Sequence, residues 1–162
     1  MDYLWTPWRY RYISQEGEPA ECIFCAAAAA TADDRAWLVV HRAKHNYIIL
    51  NRFPYTTGHV MVVPNQHVAR LEDLGDEALV ELFRLAQATE KRLRKTYRPD
   101  GINLGMNIGR SAGAGIAGHI HLHALPRWYG DSNFMTVVGE TRVVPEDLET
   151  TYERLREAFA EE

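Results

Sequence analysis

Three histidines alternate with apolar residues in the segment Gly118–Trp128, and no other feature constrains the fold of this chain as strongly. The segment reads Gly-His-Ile-His-Leu-His-Ala-Leu-Pro-Arg-Trp. Because successive side chains of a β-strand point to opposite faces, the histidines share one face, and the apolar residues between them share the other, where they can be buried. The segment therefore predicts a strand, His119–Leu125, that presents the imidazoles of His119, His121 and His123 on one surface.

The remainder of the chain predicts an α+β fold with one long helix. Apolar residues recur with a helical period over Asp76–Tyr97, Pro99 ends that helix, and an amphipathic helix follows Pro145. The alanine run Ala26–Ala30 favours a short helix. Runs of β-branched and aliphatic residues predict the other strands, which are Trp37–Val40, Tyr47–Leu50, Val60–Val63 and Ile102–Ile108. This order predicts helices on one face of a mostly antiparallel sheet.

Length and composition predict a single domain, 1–162. The chain has 162 residues, of which 46% are hydrophobic and 25% charged, as in an ordinary globular domain. An arm of aromatic and basic residues covers about residues 1–18, and a helical extension covers about residues 145–162. Such an arm is typical of packing on its own domain or on a partner subunit, and stacking on nucleic-acid bases is the alternative.

Charge and hydropathy exclude two classes of partner. Eighteen basic and 22 acidic residues leave a net charge of -4, so a general basic surface for nucleic acid is absent. No run approaches about 18 apolar residues, and the first residues lack a basic segment followed by an apolar one. We therefore expect a cytoplasmic protein that binds neither nucleic acid nor membranes, and that meets any phosphate-bearing ligand at a local site.

The chain contains two cysteines, Cys22 and Cys25, in a Cys-x-x-Cys pattern. Two cysteines are too few for a disulfide scaffold, and in a reducing compartment such a pair is usually half of a metal site or a redox couple. A thioredoxin-like role is not favoured, because no strand-then-helix frame surrounds the pair. Buried reduced thiols remain the plain alternative.

Two chemistries use imidazoles at the spacing of His119, His121 and His123. One is metal ligation, since alternate histidines on a strand can present nitrogens to a zinc ion that keeps an open position for water. The other is nucleophilic catalysis, in which a neutral histidine attacks phosphorus while its neighbours orient it and stabilise charge. The three histidines alone leave both chemistries open.

A loop of small residues, Gly109–Gly118, precedes the histidine segment. Its residues 113–118 satisfy the spacing G-x-G-x-x-G, but they lead into a strand and not into a helix, so the dinucleotide-binding motif lacks its context. No Gly-Lys-Ser/Thr follows, which excludes a Walker A loop, and we expect no organic cofactor. Small residues do allow backbone N–H groups to approach phosphate oxygens, and a flexible hairpin connection is the alternative.

The segment from His119 onward, His-Ile-His-Leu-His-Ala-Leu, resembles the signature of the histidine triad (HIT) family, in which histidines alternate with hydrophobic residues. Other landmarks match that family in order along most of the chain. They are Cys22-Ile-Phe-Cys25, Asn51 after a hydrophobic strand, Gly58-His-Val-Met-Val-Val-Pro64, His67, and Asn107 before the glycine-rich loop. The resemblance implies a HIT-like fold, and it implies an enzyme that acts on nucleotides.

The resemblance also implies roles for individual residues. His121 is implied as the nucleophile that attacks the α-phosphorus and forms a covalent nucleotidyl-histidine, and His123 as a contact to the phosphate oxygens. His59 and His119 complete the implied catalytic set, and Asn51 is implied to reach the ribose hydroxyls. The other predicted substrate-binding residues lie in or beside the glycine-rich loop and are Asn107, Ser111, Gly113, Ala114 and Gly115.

Metal-binding members of the family imply a zinc site here. By resemblance its ligands are Cys22, Cys25, His67 and His119. Two cysteines and two histidines suit a closed tetrahedral structural site, which leaves His121 and His123 for catalysis. A catalytic zinc ion on the three alternating histidines is the rival arrangement.

The flanking stretches resemble the bacterial branch of the family that phosphorolyses diadenosine tetraphosphate. They are Leu4–Tyr10, Gly101–Gly109, Ala112–Ile116 and Pro126–Phe134. The hydrolases of the family have a glutamine four residues before the triad, where this chain has Gly115. We expect the absence of that side chain to make room for inorganic phosphate as the second acceptor. The branch implies an adenine dinucleotide or mononucleotide substrate and a homodimer. A nucleotide hydrolase of the same fold and a non-catalytic nucleotide-binding module are the alternative functions.

Overall fold

A five-stranded antiparallel sheet forms the centre of the structure, a computed structural model that describes residues 22–139, 141 and 144–160. The strands follow the order β1-β2-β3-β5-β4 across the sheet. Their bounds are β1 Val39–Arg42, β2 Asn46–Leu50, β3 Val60–Pro64, β4 Gly101–Met106 and β5 Leu122–Arg127. The predicted aromatic and basic arm lies outside the described residues, as do the last two residues of the predicted C-terminal extension.

Five helices accompany the sheet within the described residues. They are α1 Ile23–Ala29, α2 Asp34–Trp37, α3 Asp76–Tyr97, α4 Phe134–Val137 and α5 Leu148–Ala160. Single 3₁₀ turns lie at Leu71–Asp73 and Arg110–Ala112. The long helix α3 coincides with its predicted range because acidic residues occupy its first turn and basic residues its last, which complements the helix dipole. No helix among the described residues combines the length and the apolar character needed to cross a membrane.

The central strands are buried on both faces, so the sheet supports two separate cores. Strands β2 and β3 have no exposed residue. The larger core lies under α3 and α5 and contains Ile48, Val62, Leu82 and Leu155. The smaller core lies on the opposite face, where Phe24 and its α1 neighbours cover the other half of the strand residues. The prediction that helices lie on one face is therefore wrong for α1, because a sheet buried on both sides needs cover on both sides.

The histidine segment divides its side chains between these two cores as predicted. Ile120 and Leu122 belong to the larger core, whereas the histidines lie on the face of the smaller one, next to Phe24. The regular strand begins only at Leu122, three residues later than predicted. Before that point the Ile120 N–H donates to the carbonyl of Val68, at 2.8 Å, and not to a neighbouring strand.

The other element bounds differ from the sequence predictions at identifiable places. Trp37 was predicted to begin a strand but ends α2, because the Asp33 side chain accepts a hydrogen bond from the Ala36 N–H and caps a helical turn. Leu38 then takes a left-handed conformation, φ 60°, before β1 begins. Strand β4 starts one residue early and ends at Met106 instead of Ile108. The short helix α4 was not predicted.

Candidate active site and metal centre

The three alternating histidines and His59 are buried side by side on one face of the sheet. The exposed fractions are 0% for His119, 4% for His121, 8% for His123 and 1% for His59. His59 immediately precedes β3, whose Met61 pairs with His123 on β5, so the sheet register carries these two histidines to one face. Ring centroids of His121 and His123 lie 4.8 Å apart, and those of His59 and His123 lie 5.1 Å apart.

His121 is held in one tautomer by a backbone carbonyl two residues earlier, just before β5 begins. Its Nδ1 lies 2.9 Å from the carbonyl oxygen of His119. A carbonyl only accepts, so Nδ1 carries the proton and Nε2 carries the lone pair. Burial lowers the pKa of His121 from its ordinary value, which keeps the ring neutral at pH 7. A neutral imidazole with its lone pair on Nε2 is the form in which histidine acts as a nucleophile.

A chain of hydrogen bonds fixes the tautomer of His123 in the opposite sense. The backbone N–H of Tyr55 donates to His59 Nδ1 at 3.2 Å, so His59 carries its proton on Nε2. That nitrogen lies 2.9 Å from His123 Nδ1 and donates to it. His123 therefore carries its own proton on Nε2. Burial is the main cause that lowers the pKa of His123 to about 4, and the second is the repulsion that protonated His123 would experience from a protonated His121. His123 is thus a neutral hydrogen-bond donor beside the lone pair of His121.

Asn51 lies beside His59 at the end of β2. The Asn51 N–H donates to the His59 carbonyl at 3.0 Å, and its Nδ2 lies 3.3 Å from His59 Nδ1. The Asn51 side-chain oxygen accepts from the Phe53 N–H at 2.9 Å, which fixes the tight turn that follows β2. The structure therefore brings Asn51 to the histidine cluster, with its side chain half-buried.

The glycine-rich segment connects β4 to the histidines and folds on itself. Gly109 and Gly113 have positive φ, 84° and 89°, which favours glycine at both places. The N–H groups of Ala112 and Ala114 both donate to the Gly109 carbonyl, and that of Gly113 donates to Arg110. Ser111 and Gly115 are exposed, and Asn107 is half-buried. Phosphate binding by this segment remains a prediction, because three of its amides are used within the loop.

A second cluster contains Cys22, Cys25, His67 and His119. Their four ligand atoms lie within 4.8 Å of one another. The Cys22 Sγ lies 3.4 Å from His119 Nδ1, and the Cys25 Sγ lies 3.2 Å from His67 Nδ1 and 3.6 Å from His119 Nδ1. Neither cysteine takes part in a disulfide among the described residues.

The donor set and its spacing are compatible with zinc. Tetrahedral bonds of about 2.3 Å to sulfur and about 2.0 Å to nitrogen place sulfur and nitrogen about 3.5 Å apart, close to the separations found here. His119 Nε2 lies 2.9 Å from the Pro64 carbonyl oxygen, so Nε2 carries the proton and Nδ1 turns its lone pair to the thiols. A metal-ligating histidine usually donates its other ring N–H to a carbonyl or carboxylate in this way, which fixes the orientation of the ring.

Two contacts join this four-residue group, called the metal-type cluster, to the candidate catalytic histidines His121 and His123. One is the His119 residue itself, whose ring faces the cysteines while its carbonyl accepts the His121 proton. The other is Phe24, which lies between the two cysteines in α1. Its ring centroid lies 5.4 Å from that of His119 and 4.9 Å from that of His121. Displacement of α1 therefore changes the surroundings of His121 directly.

Sequence reasoning missed Phe24 and Tyr55 as parts of the site. The sequence does contain a signal for Phe24, because a large apolar residue between two candidate ligands on a helix has to pack near them. Tyr55 had none, since it acts through its backbone N–H, a group that every residue except proline possesses. Its ring also stacks beside His123, with centroids 6.1 Å apart.

Comparison with known proteins matches the chain to one family. The model of the family described as "HIT domain" matches residues 35–129. A protein of Mycobacterium tuberculosis named "AP-4-A phosphorylase" is 38% identical over 99% of this chain and 85% of its own length. A Zn-bound histidine triad family protein from Mycobacterium smegmatis superposes with a TM-score of 0.69 at 30% identity, over 86% of this chain and 94% of that one.

A third relative extends the likeness to an archaeal protein. It is a hypothetical histidine triad nucleotide-binding protein from Sulfolobus tokodaii, with a TM-score of 0.68 and 26% identity. The superposition covers 86% of this chain and 92% of that one. The match to the HIT domain model, over residues 35–129, contains the five strands and the histidines of the site.

Proposed function

The chain belongs to the HIT domain family and is a nucleotide-processing enzyme, and we propose that it cleaves diadenosine tetraphosphate with inorganic phosphate to give ADP and ATP. The observation that supports the chemistry is the tautomer of His121, which leaves a lone pair on Nε2 of a neutral ring. The choice of substrate is supported by the name of the Mycobacterium tuberculosis relative, which is similar over nearly the whole chain.

The proposed reaction has two displacements. In the first, His121 Nε2 attacks the α-phosphorus of diadenosine tetraphosphate, a P–N bond forms, the P–O bond to the remaining polyphosphate breaks, and ATP leaves. In the second, an oxygen of inorganic phosphate attacks the same phosphorus, the P–N bond breaks, and ADP leaves while His121 regains its lone pair. Two displacements at one phosphorus predict ping-pong kinetics.

The neighbours of His121 supply hydrogen bonds where negative charge collects. His123 carries its proton on Nε2. This N–H group donates a hydrogen bond to a phosphate oxygen, and such a bond is strong in a buried site because the donor is already oriented. His59 holds that proton in place. Asn51 binds the ribose hydroxyls in this proposal. Asn107, Ser111, Gly113, Ala114 and Gly115 line the polyphosphate.

The choice between phosphate and water depends, in this proposal, on Gly115. A glycine leaves space that a longer side chain fills, and the position is exposed at the mouth of the loop. Inorganic phosphate enters that space as the second acceptor. A Gly115→Gln variant is expected to lose its dependence on phosphate and to release AMP in place of ADP.

Zinc would be held by Cys22, Cys25, His67 and His119, whose donor atoms fit it. When bound, it would supply a structural cross-link between the start of α1, the segment after β3 and the segment just before β5. We also propose that the enzyme acts as a homodimer in the cytoplasm, where the two free thiols stay reduced.

The test is incubation of the purified protein with diadenosine tetraphosphate, with and without inorganic phosphate, and separation of the nucleotide products. ADP and ATP that form only with phosphate support the proposal. AMP and ATP that form without regard to phosphate identify a hydrolase and overturn the argument from Gly115. Binding without turnover, and without a covalent adduct on His121, identifies a nucleotide-binding module instead.

A further inference from the structure

A tyrosine outside the histidine cluster is packed directly under the turn that carries His59. This turn contains Gly58, whose φ is 76°. A Cβ at Gly58 would lie 2.9 Å from Cε2 of Tyr97 and 3.1 Å from Cγ of Pro126. Real Cβ atoms do not approach other carbons so closely, so the Tyr97 ring occupies the space in which any other residue at position 58 would place its side chain.

The Tyr97 ring is fixed from three sides at the end of α3. Its hydroxyl donates to Glu146 Oε1 at 2.9 Å. The guanidinium carbon of Arg154, on α5, lies 4.5 Å from the ring centroid, and Arg154 also bonds Glu146 and the carbonyl of Thr96. Trp128 meets the ring edge to face at 6.4 Å. A ring held in this way is a rigid surface for the turn.

The turn transmits its position to His59 and from there to His123. Thr56 Oγ1 donates to the Pro126 carbonyl at 2.9 Å, which ties the start of the turn to β5. The His59 N–H donates to the Thr56 carbonyl at 3.3 Å. The orientation of His59 then sets the hydrogen bond of 2.9 Å to His123 Nδ1. Hence the face of Gly58 that rests on Tyr97 fixes one end of the hydrogen-bond chain.

We propose that Tyr97 is a positioning residue for the His59–His123 pair, acting through its contact with Gly58. The inference rests on the proposed function, because it assigns His123 a part in the reaction. Tyr97 does not touch the reacting atoms. Its ring sets how far the turn sinks toward α3, and therefore whether His59 Nε2–H points at His123.

The first test is the Tyr97→Leu variant, with Tyr97→Phe and Phe159→Leu as controls. Tyr97→Leu removes the surface under Gly58, and kcat is expected to fall about 10-fold to 100-fold with little change in KM, as for a small displacement of a catalytic group. Tyr97→Phe keeps the ring and should retain kcat within about threefold. Phe159 is a buried aromatic residue whose ring also lies 4.5 Å from an arginine guanidinium, that of Arg92, and stacks on His41. Phe159→Leu should lower stability and leave kcat unchanged.

A suppressor experiment separates the contact from a general loss of stability. Gly58→Ala presses a methyl group on the Tyr97 ring and should lower kcat. The double variant Gly58→Ala/Tyr97→Leu removes the overlap with the ring but keeps the backbone strain at φ 76°, so its kcat should exceed the product of the two single effects by at least about threefold. If the double variant is as slow as the product of the two single effects, Tyr97 does not act through Gly58.

A spectroscopic readout does not depend on the identity of the substrate. In the wild-type protein, nitrogen-15 spectra should show His123 with a protonated Nε2 and an unprotonated Nδ1. Tyr97→Leu should show a mixture of both tautomers, whereas Phe159→Leu should match the wild type. A wild-type tautomer in Tyr97→Leu overturns the inference. Failure of the wild-type protein to cleave diadenosine tetraphosphate counts against the proposed function only, because the spectra are recorded without substrate.

Discussion

His119 and His121 lie two residues apart on the same segment, yet their rings have opposite arrangements. At His119, Nδ1 faces the two thiols and Nε2 faces the Pro64 carbonyl. At His121, Nδ1 faces the carbonyl of His119. In both rings a backbone carbonyl takes the N–H, and the other nitrogen keeps its lone pair. The nitrogen that keeps the lone pair therefore distinguishes the two residues. His119 Nδ1 faces the thiols and suits a metal ion, whereas His121 Nε2 suits an attack on phosphorus.

The metal-type cluster and the candidate catalytic histidines are therefore one hydrogen-bonded unit with two ends, a cysteine end and a candidate catalytic end. His119 contributes its ring to one end and its carbonyl to the other. A substitution at the candidate catalytic end should lower the reaction rate without disturbing the cysteines. A substitution at the cysteine end should weaken the metal-type cluster and affect the reaction rate only through the position of the His119 carbonyl. Changes at the two ends should separate in experiment.

The largest expected effect comes from the catalytic end. His121→Ala should lower kcat by about 10⁴-fold or more, as when other enzymes lose their nucleophile, and should abolish covalent labelling by nucleotide. Steady-state rates and mass spectrometry of the intact protein measure both. His45→Ala is the control, because His45 pairs with Glu77 at the β1–β2 turn and should leave kcat unchanged. Labelling that persists in His121→Ala would show that another residue is the nucleophile.

The second effect comes from the cysteine end. Cys22→Ser removes one of four candidate ligands, and zinc affinity should fall by more than about 100-fold, because even an outer partner of a ligand costs about 10-fold to 100-fold. At saturating zinc a 100-fold weaker site corresponds to about 2.7 kcal/mol of folding stability. Zinc titration and thermal unfolding measure the change. Equal zinc binding by Cys22→Ser and wild type would remove the cluster from consideration as a metal site.

The third effect tests the link between His59 and His123. His59→Phe keeps an aromatic ring of similar shape but removes the N–H that donates to His123 Nδ1. We expect kcat to fall by about 10-fold to 100-fold, because His123 then samples both tautomers. A group that itself transfers a proton typically contributes about 100-fold or more. Zinc affinity should not change. A loss of zinc affinity in His59→Phe would instead show that the two ends are not separable.

The sequence predicted the fold class and the shared face of the three histidines from hydrophobic patterns and from alternation along a strand, whereas the four residues of the metal-type cluster were predicted from the resemblance to the HIT family. It could not predict the start of the regular strand at Leu122, since Ile120 bonds to Val68, a residue with no motif of its own. Trp37 was misassigned because a capped turn at Asp33 overrides its strand propensity. The backbone donor at Tyr55 leaves no trace in the residue type.

The smallest effect is the pH dependence of stability that His123 contributes. The pKa of His123 falls from its ordinary 6.5 to about 4 in the folded protein, through burial and the charge of His121. Between these values the unfolded chain binds a proton that the folded protein does not, so stability falls as pH drops from 6.5 toward 4 and is independent of this group above that window. The groups that face His123 are His59, His121 and Tyr55, and the pKa of His121 is lowered in the same direction.

Urea unfolding at pH 7 and at pH 5 measures this contribution. His123→Asn lacks the titrating ring, and its loss of stability between the two pH values should be smaller than that of the wild type by about 1–2 kcal/mol. Should His123→Asn and the wild type lose the same stability on acidification, His123 is protonated in the folded state at pH 5. It would then differ from the neutral His121 in its charge as well as in the ring nitrogen that carries the proton.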